Sequence, residues 1–318
     1  MTHYWLFWAV ALCVLLVPIA ITLYCFFKVF YVPKRKPEDP NVFEIPEGDI
    51  SEVYREDMEN WTKMIRSMPR EEMEITSFDG LVLRGRYYEF APGAPVELLF
   101  HGYRGNAERD LNGGVARCFS LGRSAILIDH RASGRSEGHV TTFGIYERLD
   151  CLEWVNFALE RFGPDVKLIL TGVSMGAATV MMAMGEALPP NVVCVLADCG
   201  YTSPKEIICK VIRDMHLPAP VVYPFVRLAA RLFGHFDLEE TSPLEAVAKA
   251  AVPLILIHGD NDEFVPYEMS ARLYEACTSP KKLVPIAGAG HGLASPVDRE
   301  GYVKALADFE AEWGFLKK

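Results

Sequence analysis

The sequence predicts an α/β fold in which a mostly parallel central sheet is covered by helices on both faces. Six short apolar runs, Val96–Phe100, Ser124–Ile128, Lys167–Leu170, Val192–Ala197, Pro253–Ile257 and Leu283–Ile286, are separated by segments of helical length. Near-continuous apolar strands belong to sheets buried on both sides, which is the setting of parallel strands joined by helices. The Asp79-Gly80 pair between Glu74–Phe78 and Leu81–Phe90 is a short-range hairpin signal that leads into this pattern. Composition agrees: of 318 residues, 50% are apolar and 23% charged, enough for a large core without a disulfide or metal staple.

The chain opens differently. Tyr4 to Phe27 contains no charged side chain, and as a helix it would reach about 36 Å against a hydrocarbon core of roughly 30 Å. Aromatic residues stand at both ends, Tyr4, Trp5 and Trp8 at one and Tyr24, Phe26, Phe27, Phe30 and Tyr31 at the other, and the basic cluster Lys34, Arg35, Lys36 comes next. One transmembrane helix within residues 1–32 is expected, with Pro18 as the place for a kink. Nothing basic precedes the apolar run, which argues against a cleaved signal peptide. By the positive-inside rule the protein is expected in the cell membrane as a single-pass protein with its body in the cytoplasm. Residues 33–72 read as a Pro-rich, charged linker and a lead-in helix, and 73–318 as the folded body. A chain beginning near Glu44 is accordingly expected to be soluble, folded and active.

Charge narrows the partners. The net charge is −10, yet the first 36 residues carry four basic side chains and no acid, so the body is strongly acidic. That excludes a phosphate-backbone partner, and no nucleic acid is expected. The eight cysteines show no CxxC or Cys/His ligand spacing, which points to reduced, largely buried thiols and no metal.

Chemistry is expected beyond the carboxyl ends of the strands, where open α/β sheets bind ligands. There, Lys167–Leu170 runs into Gly172-Val173-Ser174-Met175-Gly176 and a helix-like AATVMMAMGEAL, a nucleophile elbow in strand-turn-helix context. A serine hydroxyl needs a base held by a third group. The chain order Ser, acid, His leaves His291, in the flexible loop Ala287-Gly288-Ala289-Gly290-His291-Gly292, as the base; His101 and His258 read as structural. Asp198, Asp260 and Asp262 compete to orient it. Met175, the residue after the serine, is expected to supply one oxyanion N–H.

These motifs, in order over residues 73–318, resemble the serine α/β-hydrolase superfamily, in particular its bacterial, membrane-anchored esterase- or lysophospholipase-like group. The stretch LILIHGDNDEFVP is similar to the superfamily's acid loop and selects Asp262, leaving Asp260 to bond the loop backbone and Asp198 as the fallback. The residue after His101-Gly102 is often the second oxyanion donor, which implies Tyr103. Asp129 to Ser136 looks like the superfamily's DxRGxGxS turn, with Ala132 and Ser133 departing from it, and reads as structural. The insertion at about 201–244, apolar and broken by Pro204, Pro218, Pro220 and Pro224, reads as a small helical cap. The resemblance implies an α/β-hydrolase fold and a carboxylic-ester hydrolase using Ser174, His291 and Asp262 on small to medium acyl substrates, without a cofactor. An amidase, peptidase or thioesterase on the same triad is the alternative, and a non-catalytic binding module the more distant one.

Overall fold

The computed structural model describes residues 4–33, 42–45, 52–314 and 316. Eight strands form one sheet in the order β1-β2-β4-β3-β5-β6-β7-β8. Strands β1 (Glu71–Thr76) and β2 (Val82–Tyr88) are the hairpin expected at Asp79-Gly80. Its loop closes on Ser77: the Leu81 N–H donates to Ser77 Oγ at 2.8 Å, and Gly80 takes a φ of 91° that suits glycine. Strand β2 pairs antiparallel with β4 (Ser124–Ile128). The others, β3 (Val96–Phe100), β5 (Leu168–Val173), β6 (Val192–Asp198), β7 (Leu254–Gly259) and β8 (Lys281–Ile286), run parallel. This is the α/β-hydrolase arrangement. Each apolar run became a strand, with β5 extending past it to Val173, β6 to Asp198 and β7 to Gly259.

Helices α2 (Arg55–Ser67), α3 (Ala107–Ser120) and α4 (Glu147–Phe162) precede the elbow helix α5 (Met175–Ala183). After β6 come α6 (Pro204–Asp214), α7 (Ala219–Ala229) with a π-helical extension to Gly234, and α8 (Pro243–Val247). Then α9 (Tyr267–Ala276), α10 (Ala294–Val297) and α11 (Arg299–Trp313) complete the layers. Pro204 stands at the start of α6 and Pro220 at that of α7, where a missing N–H costs nothing. Of the lead-in region 33–72, α2 supplies the helix; Lys34, Arg35 and Lys36 lie outside the described residues.

Helix α1 (Tyr4–Cys25) continues into a π-helical turn, Phe26–Phe30. In α1 the side chains described are Trp8 and those from Leu16 onward, and among the described residues no helix is long and apolar enough to cross a membrane. The expected transmembrane segment therefore has no span among them. They show something else: Cys25, Phe26 and Phe30 are buried in one apolar cluster with Phe143, Tyr201, Ile207 and Val226, and Val32 is buried beyond them. Phe30 is fully buried, edge-on to Phe143 at 6.0 Å and to Phe236 at 5.3 Å. Main-chain bonds stitch this segment down, with Val32 N–H donating to His139 O at 2.8 Å and Thr141 N–H to Phe30 O at 3.0 Å. Part of the body's core thus lies before residue 33, in side chains that a chain beginning near Glu44 would lack.

Candidate active site

Ser174 sits at the turn between β5 and α5 with φ 55° and ψ −113°, a strained conformation at positive φ that lifts its hydroxyl clear of the sheet. The flanking glycines make that turn possible. A Cβ on Gly172 would collide with the Gly176 backbone, and one on Gly176 with the Phe100 and His101 carbonyls. Strand, turn and helix pack at backbone contact, so neither position accepts a side chain.

His291 arrives on the loop after β8. Its Nε2 lies 2.9 Å from Ser174 Oγ and its Nδ1 lies 2.7 Å from Asp262 Oδ2. These partners assign the tautomer: Nδ1–H donates to the carboxylate and Nε2 accepts the serine proton. Asp262 lies on the loop after β7, with its side chain fully buried. Burial acts to raise its pKa, but hydrogen bonds from His258 and His291 and the Val265 N–H outweigh it and hold the carboxyl well below the usual carboxylate range. The Phe264 and Val265 N–H groups both donate to Asp262 Oδ1, at 2.9 and 2.8 Å.

The other aspartates part company with it. Asp260 accepts from Gly288 N–H at 2.7 Å, as expected of a loop-bonding residue. Asp198 accepts from Tyr302 Oη–H at 3.1 Å, and burial raises its pKa to about 6. It does not orient His291. His258 is buried, accepting from Ser270 Oγ–H at Nδ1 (2.6 Å) and sharing its Nε2–H between Val265 O at 2.8 Å and Asp262 Oδ2 at 3.2 Å. It is structural, as expected, and what it holds in place is Asp262. Its position four residues before that acid was the available clue.

Met175 opens α5, where N–H groups have no intrahelical acceptor. Tyr103 comes after β3, and a Cβ on neighbouring Gly102 would lie 3.6 Å from Ser174 Cβ, which brings this loop against the nucleophile. His101 Nδ1 bonds Gly102 O at 2.7 Å while its Nε2 accepts from His130 N–H at 3.1 Å. The Gly102 N–H donates to Asp110 Oδ2 at 3.0 Å. With Gly102 O committed, the N–H of Tyr103 across the same trans peptide faces the opposite way. The Asp129–Ser136 turn is tied within itself and to its neighbours: Asp129 accepts from Arg135 N–H inside the turn and from Ala107 N–H outside it, while Arg131 pairs with Asp150 and Asp79.

Ser174 and Tyr103 lie in a cavity of about 430 Å³. One wall is the cap: Ile208, Val211, Met215, Leu217, Val222 and Val226. Another part of the wall is Tyr24, Cys25, Lys28 and Val29, from the N-terminal segment, which the sequence pattern assigned to lipid. Tyr103 Oη–H donates to Val29 O at 2.6 Å, tying that wall to the expected oxyanion loop. Cys199 Sγ lies with Asp262 and His291 in a set compact enough to hold a cation. Burial pushes the Cys199 thiol well above its ordinary range, which disfavours the thiolate a metal needs, and His291 Nδ1 is already engaged by Asp262.

The prolyl oligopeptidase family model matches residues 141–314. The uncharacterized protein YqkD of Bacillus subtilis is 26% identical over 295 residues, 92% of each chain. The lysophosphatidylserine lipase ABHD12 of Danio rerio is 26% identical over 212 residues, 62% of this chain and 51% of that protein. The esterase Pf2001 of Pyrococcus furiosus superposes with a TM-score of 0.64 at 22% identity, covering 85% of this chain and 98% of that one. With the family model covering more than half of the chain, the protein belongs to the prolyl oligopeptidase family and is a serine hydrolase of the α/β-hydrolase fold.

Proposed function

We propose that this serine hydrolase cleaves carboxylic esters with Ser174 as nucleophile, His291 as general base and acid, and Asp262 as the residue that orients His291. The observation that carries the reading is the continuous hydrogen-bond chain Ser174–His291–Asp262, whose serine lines a mainly apolar cavity. Ser174 Oγ attacks the acyl carbon as its proton passes to His291 Nε2, and the new imidazolium is held by Asp262. The oxyanion is met by the N–H groups of Met175 and Tyr103, each removing about 3 kcal/mol from the barrier. Collapse expels the alcohol, protonated by His291, and water then releases the acid through the same steps.

The uncharged stretch Tyr4–Phe27 and the basic cluster after it support attachment to a membrane, with the body on the cytoplasmic side. An apolar cavity and a relative named as a lysophosphatidylserine lipase favour an acyl ester over a peptide. Each buried methylene contributes about 0.8 kcal/mol, close to fourfold in binding. Catalytic efficiency on neutral esters should therefore climb from two-carbon to roughly six- or eight-carbon acyl groups and exceed that on aminoacyl amides. A screen of purified protein across esters, thioesters and amides, with a fluorophosphonate probe to count active sites, tests this. Faster cleavage of peptide amides than of any ester would select the peptidase reading, and flat efficiency with chain length would remove the acyl pocket.

A further inference from the structure

The outer face of the cap is apolar where a cap over a water-facing site would be polar. Along α7 and its extension, Ala219, Tyr223, Val226 and Ala230 turn inward and are buried. On the other side Val221, Pro224, Leu228 and Leu232, spaced three, four and four residues apart, form a second stripe facing out. Val221 is 60% exposed and Leu232 55%, and the likewise exposed Met215 and Leu217 also line the cavity. A helix apolar on both faces needs an apolar partner on both. The described residues provide it on one side only.

Two observations identify the missing partner. Helix α1 packs beside α7 and itself exposes Leu16, Val17, Ile19, Ile21 and Leu23, just before the cavity-lining Tyr24. The stripe itself is free of acids: in a chain with 42 of them, none occurs from Met215 to Phe236, while Lys28 stands exposed on the neighbouring segment and Arg227 and Arg231 flank the stripe, paired with Asp237 and, for Arg227, Glu239 beyond it. An exposed apolar stripe without acids, beside an exposed lysine, is what a lipid surface accepts. Exposed residues of the Ser174 cavity's lining come from these same two segments, Tyr24 and Lys28 from the N-terminal one and Met215 and Leu217 from the cap.

We propose that the outer face of α7 docks into the lipid surface, so that the cavity opens onto the bilayer and takes its acyl substrate from the membrane. The docking stands on the surface itself; the delivery of substrate rests on the ester-hydrolase reading above. The test uses the full chain reconstituted in phosphatidylcholine–phosphatidylglycerol vesicles and the double variant Val221→Glu/Leu232→Glu, two exposed positions outside the cavity. Turnover of a dissolved butyrate ester should stay within about twofold of the parent, while hydrolysis of a long-chain fluorogenic ester carried in the vesicles should fall at least tenfold. Equal loss on both substrates, or no loss on either, overturns the proposal. A second measurement is independent of activity: in Val221→Trp, the fluorescence added over the parent should be quenched by brominated lipid. If it is not, docking is refuted, and self-association of that chain would assign the face to a second copy instead. A parent that cleaves neither ester would refute the functional reading while quenching still decides the docking.

Discussion

Removing the residues before Glu44 should damage the catalytic domain rather than merely free it from a tether. The loss can be worked from three side chains. Phe30 is fully buried, Phe26 and Val32 nearly so, and each contributes about 2 kcal/mol, or about 6 kcal/mol together. Whole domains are stable by only about 5–15 kcal/mol. The deletion also strips the acceptors of three side-chain hydrogen bonds on the active-site side: Val29 O from Tyr103, and Lys28 O and Tyr31 O from Arg104. A chain beginning at Thr22 keeps all of these and lacks most of α1, so comparing the two separates the wall from the apolar run. Urea unfolding should put the Glu44 chain about 6 kcal/mol below the Thr22 chain, or leave it unfolded. Where it folds, its preference for eight-carbon over two-carbon esters should shrink, because Tyr24, Cys25, Lys28 and Val29 no longer close the cavity. Equal unfolding midpoints and the same chain-length profile for the two chains would refute the argument.

Ser174→Ala and His291→Ala should each lower turnover by about 10³-fold or more with the fold intact, because the members act as a unit. Asp262→Asn should also be severe and Asp198→Asn mild in the same ester assay; the reverse order would move the orienting role to Asp198. For stability, the raised pKa of Asp198, about 6 from burial, means its folded-state advantage is full below the unfolded value near 3.8 and is lost as pH rises through 6. Asp198→Asn removes that dependence, so the variant should gain about 2 kcal/mol on the parent between about pH 4.5 and pH 8 in denaturant titrations. An unchanged difference across that range would mean the carboxyl is not suppressed by its surroundings.

The parts legible in the sequence are those where backbone geometry restricts residue choice. Gly172 and Gly176 are demanded by atoms of neighbouring backbone, so the elbow announces itself within five residues, and Asp79-Gly80 marks its hairpin by the same logic. Buried parallel strands are legible because both faces need apolar side chains. Glu97 is the exception that periodicity does not explain. It lies fully buried in β3, paired with Arg117 and Arg123 and bonded by Thr171 Oγ1–H at 2.5 Å. Burial acts against its charge, yet those two guanidinium groups bring its pKa down to about 2. Its partners stand 20 and 26 residues downstream, and no local pattern links them.

The N-terminal wall was illegible for a different reason. Apolarity states that a side chain should leave water and is silent on what receives it, and lipid and protein interior are equivalent on that scale. Tyr4 to Phe27 reads as one uncharged run, yet at its end Thr22 and Cys25 are buried and Leu23 and Tyr24 are exposed, so one helix presents different faces to different surroundings. The change of partner is visible only at the end of the run and in the residues just beyond it. Phe26, Phe30 and Val32 recur at spacings of four and two, and the last pairs its backbone with His139 rather than continuing a helix. A membrane helix that ended at a flexible linker would not need two buried phenylalanines and a strand-like residue past its last apolar turn. Their presence ties the end of α1 to the cavity that holds Ser174, and with it the orientation of the catalytic domain to whatever surface receives α1.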